Sequence, residues 1–232
     1  AYKELSNRNK IFSNYKIPRL NFFEKIIKMS QIAKNGYLEE ERVLNELNKQ
    51  RNTIHHRVPG NLKTDIISED KTFRAQVKKS SPKRFQQVLR AWTSTLTDAV
   101  PSLKPVEHIL KYLCELPVQN GKCIGQRVKL TNANDNQVLI NILNANKRAI
   151  VEYVLLGDIP DMQPTHLIIA LYKKNVRTVI TKTMHEVIDE ICSNDFKIRK
   201  SQTVIELGKL TIQRKGGDGG KKSANQIQFK LV

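Results

Sequence analysis

Asn61–Ser81 reads NLKTDIISEDKTFRAQVKKSS. Two short segments with strand character, TDII and FRAQVK, flank the polar SEDKT, and that order predicts a β-hairpin. Side chains along a strand alternate between faces, which groups Arg74, Gln76 and Lys78 against Phe73, Ala75 and Val77. The second group is apolar and belongs to a core. If TDII pairs antiparallel with the second segment, Asp65 comes near Gln76 and Lys78, so that an anionic oxygen, a neutral amide oxygen and an ammonium meet. Phosphodiester hydrolysis asks for such a set. Mg²⁺ held by oxygen ligands polarises the phosphate and activates water, while a lysine orients that water or stabilises developing negative charge. A surface ion pair between Asp65 and Lys78 fits the same short spacing, and both readings stand on the residues alone.

On the N-terminal side, apolar spacing predicts helices over 19–34 and 37–48, broken at Asn35-Gly36, and HRVPGNLK (56–63) reads as a turn-rich joint. On the C-terminal side, Ser81-Pro82 makes a helix start. Phe85, Val88, Leu89, Trp92 and Leu96 then fall on one helical face. Val106, Ile109, Leu110 and Leu113 repeat the pattern, as do Val138, Leu139, Ile142 and Leu143 after NAND. From Thr165 the texture becomes that of strands, HLIIALY and VRTVIT. Thr183 and Glu186 then form a capping box that opens a helix through Ile191, and further strands run from Val204. With no internal repeat and no long linker, the chain reads as one α/β domain over 1–232.

Forty Lys and Arg against twenty-two acids give a formal charge of +18, which favours a polyanionic partner without choosing an activity. The three cysteines, Cys114, Cys123 and Cys192, are too few and too scattered for a disulfide framework or a four-ligand zinc site. The sequence has no apolar run of membrane-spanning length and no secretion signal at its start, so a cytoplasmic protein without membrane attachment is expected.

Two further stretches suit nucleic acid. Lys79, Ser80, Ser81, Lys83 and Arg84 follow the catalytic strand, and their hydroxyls and cations at a helix start would form a phosphate-binding surface; an ordinary capped helix with a solvated basic turn fits equally. In the C-terminal segment, Thr211, Gln213 and Lys215 share a face, as do Gln226, Gln228 and Lys230, with Leu210, Ile212, Arg214, Ile227, Phe229 and Leu231 opposed. Glutamine offers a donor and an acceptor to base edges, and lysine donates to guanine. A solvated sheet face is the alternative. The intervening GGDGGKKSAN (216–225) lacks the spacing of a nucleotide-binding loop.

AKNGYLEEE (33–41), LKTD (62–65), QVK (76–78), KRFQQVLRAW (83–92), LCELP (113–117) and LGKLTIQRKGGDGGKKSANQIQFK (207–230), in that order, resemble stretches of the small HinP-type restriction endonucleases. These belong to the PD-(D/E)xK nuclease superfamily. The resemblance implies a restriction-endonuclease-like core, a central mixed sheet flanked by helices, with catalytic residues around 36–98 and a DNA-reading hairpin around 209–231. It implies that an amide, Gln76, stands in the acidic position before x-Lys and lends a carbonyl oxygen but no charge. Asp65 and Gln76 are then metal ligands and Lys78 orients the attacking water. Among Glu39, Glu40 and Glu41, the family's Gly-aromatic-x-x-Glu pattern selects Glu40 as the third metal-facing residue. The hairpin readers become Gln213, Lys215, Gln228 and Lys230, with Arg214 a further member although alternation turns it away.

The expected activity is Mg²⁺-dependent hydrolysis of double-stranded DNA at a short CpG-containing site, GCGC first and CCGC or CCGG next, leaving 5′-phosphates. One or two ions, and a monomer or a homodimer, remain open. A companion DNA methyltransferase belongs to the same system, in contact or not. The rivals are a structure-specific repair or recombination nuclease and a non-catalytic nucleic-acid-binding protein.

Overall fold

The computed structural model describes residues 31–50, 53–59, 62–80, 86–115, 118–119, 122–123, 127–174, 176–215 and 226–231. The chain divides into two units, Ala1–Leu38 and Glu39–Val232. Of the first, residues 31–38 are described; they form the opening turns of α1 (Gln31–Gln50). The helix runs through Asn35-Gly36 instead of breaking there. Gly36 does not take the left-handed backbone of a helix end; a single glycine weakens a helix by about 1 kcal/mol without ending it.

In the second unit, β1 (His55–Arg57), β2 (Ile66–Ser68), β3 (Arg74–Ser80) and β4 (Gln86–Trp92) precede α2 (Thr93–Ala99) and α3 (Glu107–Cys114). The small ladder of β5 (Val118–Gln119) and β6 (Lys122–Cys123) comes next, then α4 (Ala133–Ala145) and α5 (Lys147–Leu156). After β7 (His166–Lys173), β8 (Val176–Thr183) and α6 (Met184–Cys192) the chain ends in β9 (Phe196–Ile198), β10 (Val204–Leu207), β11 (Leu210–Arg214) and β12 (Gln226–Leu231).

The strands form two large sheets, β1-β2-β3-β7-β8 and β4-β12-β11-β10-β9. The first is mixed, because β3 runs parallel to β7 while the other neighbours are antiparallel. The second is antiparallel throughout. The hairpin expected at TDII and FRAQVK is present, with Ile66 opposite Ala75. The joint read at 56–63 opens with β1, which pairs back on β2.

Phe73, Ala75 and Val77 pack with Ile66, Ile168 and Val43, so α1 covers their face of the first sheet. A larger core joins the second sheet to α3, α4, α5 and α6 and includes Leu110, Leu139, Ile150, Ile188, Ile205 and Phe229. The capping box is formed as expected: Thr183 Oγ1 accepts from the Glu186 backbone, and the Glu186 carboxylate accepts from the Thr183 backbone.

The largest correction concerns KRFQQVLRAW. Ser81-Pro82 lies outside the described residues, but Gln86–Trp92 is strand β4, paired with β12, and α2 starts only at Thr93. The register passes from Phe229 opposite Leu89 to Lys230 opposite Gln87, which leaves Val88 as the extra residue of a β-bulge. The bulge resets the alternation, so Val88 and Ala91 are both buried three positions apart. A bulged strand thereby imitates the spacing of a helix. Trp92, expected on the covered face, is 49% exposed.

Candidate active site and DNA interface

Just ahead of β2, Asp65 bonds to β3 through both its backbone and its side chain. Asp65 N donates to Ala75 O at 2.8 Å, and Asp65 Oδ2 then accepts the Val77 N–H at 2.7 Å. The carboxylate is thus pinned to β3 between Gln76 and Lys78. Burial pushes Asp65 up to about 6; the Glu40 charge adds to the rise, while Lys78, the Val77 N–H and Arg57 oppose it. Lys78 and Glu40 are therefore close enough to act on Asp65 electrostatically.

Gln76 shares its strand face with Lys78 and lies opposite Leu167, which packs into the larger core. The residue is only 3% exposed, and its Oε1 is buried with no hydrogen-bond partner. An unsatisfied buried acceptor is uncommon and costs about 1–3 kcal/mol. A half-buried carboxylate pushed up to about 6, a second carboxylate acting on it and an unpartnered amide oxygen make a set of hard oxygen atoms. That donor chemistry fits a divalent cation such as Mg²⁺. No cluster of three or more His, Cys, Asp or Glu side chains suited to a metal occurs among the described residues, so a site here needs the Gln76 amide.

The glutamates of α1 divide their tasks. Glu39 is 1% exposed and accepts from Arg177 Nε at 2.7 Å and from Tyr172 Oη at 2.6 Å, which ties the helix to β7 and β8. Glu40 accepts from Arg57 Nε at 2.7 Å and is the member of the trio that Asp65 senses.

Lys63 went unnoticed in the sequence. Its Nζ donates to Val88 O at 2.7 Å and to Val154 O at 2.5 Å, so one buried ammonium ties the loop before Asp65 to the β4 bulge and to α5. Burial, then Lys78, lowers it to about 8, against the opposing charges of Asp65 and Asp158. Gly157 holds its left-handed backbone (φ 77°) against this side chain. A Cβ there would stand 3.0 Å from Lys63 Cγ.

In the second sheet, Gln213 faces Gln228 and Thr211 faces Lys230 across β11 and β12, with Arg90 and Gln87 of β4 next in register. Arg127, in the segment before α4, donates to Gln213 Oε1 at 3.0 Å, and Gln228 Nε2 donates to Gln87 Oε1. Lys215 continues the pairing, its N–H donating to Gln226 O. Arg214 is 3% exposed and lies on the core-facing side, where its charge reaches Cys114. Of the basic stretch Lys79–Arg84, Lys79 and Ser80 still belong to β3, with Lys79 over the Tyr172 ring at 4.7 Å and Ser80 ending the strand. Ser81, Lys83 and Arg84 lie outside the described residues. Among the described residues no helix is long and apolar enough to cross a membrane.

No curated protein sequence matches this chain. Among solved structures, restriction endonuclease MspI in complex with its cognate DNA is similar at a TM-score of 0.52 and 13% identity, covering 89% of this chain and 95% of that one. At that identity the likeness speaks for the fold, a restriction-endonuclease one. The family model described as R.HinP1I restriction endonuclease matches residues 60–232, a span that holds Asp65, Gln76, Lys78 and the C-terminal hairpin and begins after Glu40. The chain therefore belongs to the R.HinP1I restriction endonuclease family and is a type II site-specific deoxyribonuclease.

Proposed function

We propose that this nuclease cuts both strands of duplex DNA at a short CpG-containing site, GCGC before CCGC or CCGG, with Asp65, Gln76 and Glu40 holding Mg²⁺. Enzymes of this family generally use divalent metal ions. The observation that carries the site assignment is the buried Gln76 Oε1 without a partner, beside a carboxylate that burial pushes up to about 6. When bound, the ion would polarise the scissile phosphate and favour ionisation of a nearby water. Asp65 must be deprotonated to hold it, and the Val77 N–H fixes the carboxylate's direction. Lys78 lies on the same strand face as Gln76, placed to orient the attacking water and to offset negative charge growing on phosphorus-bound oxygen. Water adds its oxygen to phosphorus in line, the P–O3′ bond breaks, and the departing 3′ oxygen takes a proton. The phosphate stays on the 5′ end.

Gln213, Lys215, Gln228 and Lys230 read base edges in the major groove, and Lys79, Ser80, Ser81, Lys83 and Arg84 grip the backbone beside the cut. Catalytic core and reading hairpin work within one domain, and a methyltransferase that protects the same sites accompanies the enzyme in its cell. Digestion of one sequenced DNA with Mg²⁺, followed by mapping of fragment ends, tests the reading. Discrete fragments sharing a CpG-containing sequence and carrying 5′-phosphates are expected; preference for branched DNA, or intact duplex throughout, would overturn it.

A further inference from the structure

The two glutamines at the centre of the second sheet are not free to turn. Gln213 and Gln228 are 7% and 8% exposed and stand directly opposite each other. Arg127 Nη1 reaches Gln213 Oε1 at 3.0 Å. A guanidinium has only donors to offer, so the amide oxygen must face Arg127 and the NH₂ group must turn away from it. On the other side, Gln228 gives its Nε2 to Gln87 Oε1, which leaves its own oxygen to accept. Burial, with the Arg127 charge adding to it, holds the Lys230 ammonium below the usual lysine range.

We propose that Arg127 is a positioning residue for base recognition, locking Gln213 as a donor so that it reads the guanine of a G·C pair. Guanine shows two acceptors in the major groove and cytosine one donor, whereas adenine shows a donor beside an acceptor and thymine no donor at all. A glutamine free to rotate serves adenine as well as guanine. With its oxygen taken by Arg127, Gln213 favours the two acceptors of guanine. The proposal rests on the hairpin being the DNA reader, as inferred above.

The test compares cleavage rates of the full chain on duplexes that vary every base pair of the mapped site. Arg127→Met is expected to cut the parent site within a few-fold of the unaltered rate while losing roughly ten- to a hundred-fold of discrimination at one base pair. Arg127→Lys, which still only donates, restores part of that selectivity. The salt dependence of binding stays the same for Arg127→Met. If that variant instead weakens all sequences equally and the log–log salt slope falls by about 0.9, Arg127 is a phosphate contact and the proposal is wrong. Gln213→Leu separates the two levels of inference. If it relaxes selectivity while Arg127→Met does not, only the lock fails; if it leaves selectivity intact, the hairpin is not the reader.

Discussion

The two sheets leave their buried polar groups in opposite conditions. Beside β3, Gln76 Oε1 has no partner and Asp65 is pushed up to about 6. Across β11 and β12, Gln213 and Gln228 are as buried as parts of a core, yet each amide is hydrogen-bonded to a neighbour. The first arrangement leaves an oxygen without a partner and is improved by a ligand that coordinates it. The second needs nothing added and constrains what can approach. A site that activates a phosphate gains from being incomplete without its ion, whereas a site that tells bases apart gains from orientations settled before DNA arrives.

Removing Lys78 breaks the first half of this contrast most severely. Lys78→Ala should lower single-turnover cleavage by about 10²–10³-fold, the range for one charge-stabilising donor, while duplex affinity measured without divalent ion changes by no more than one phosphate contact. Next comes the division between the glutamates. Glu39→Gln weakens the bonds from Arg177 and Tyr172 while Arg177 keeps its pair with Glu46, and should cost about 1–2 kcal/mol in urea denaturation, whereas Glu40→Gln should fold normally and need more Mg²⁺ for half-maximal cleavage.

Asp65→Asn reverses the usual expectation for a buried group. Because Asp65 is raised from 3.8 to about 6 in the folded chain, its contribution is fully favourable below the unfolded value and is lost as pH rises through about 6. Without divalent ion, the asparagine variant should therefore be up to about 3 kcal/mol more stable than the parent at pH 8, converging with it below about pH 4, although it no longer cuts. Thermal melts across that range check the sign. The smallest effect belongs to the second sheet: Gln228→Leu should reduce discrimination between base pairs by about 1–3 kcal/mol and leave folding nearly unchanged.

How much of this was legible depended on whether the signal was local. The Asp65 hairpin could be read because strand alternation separates Phe73, Ala75 and Val77 from Gln76 and Lys78 within a few residues, and the Thr183 capping box because it spans one helical turn. The polar face shared by Gln213 and Gln228 followed from two strands of matching pattern, but their direct opposition came only with the register. Gln86–Trp92 misled because the bulge at Val88 put buried residues three apart, and β12, which selects the extended form, is far along the chain. Lys63 and Arg127 gave no signal. Each is a basic residue in a connecting segment, and what distinguishes it is a partner 25, 91 or 86 positions away.

The central claim is that Asp65, Gln76 and Lys78 surround a place made for a divalent cation, and Mg²⁺ titration by calorimetry in two buffers of different ionisation enthalpy tests it most directly. Since Asp65 titrates near 6, binding at pH 6 should release roughly half a proton per ion, with release fading by pH 8, and Asp65→Asn should abolish both the release and most of the affinity. If the asparagine variant binds Mg²⁺ as tightly as the parent and with the same proton count, the ion sits elsewhere and the account is wrong.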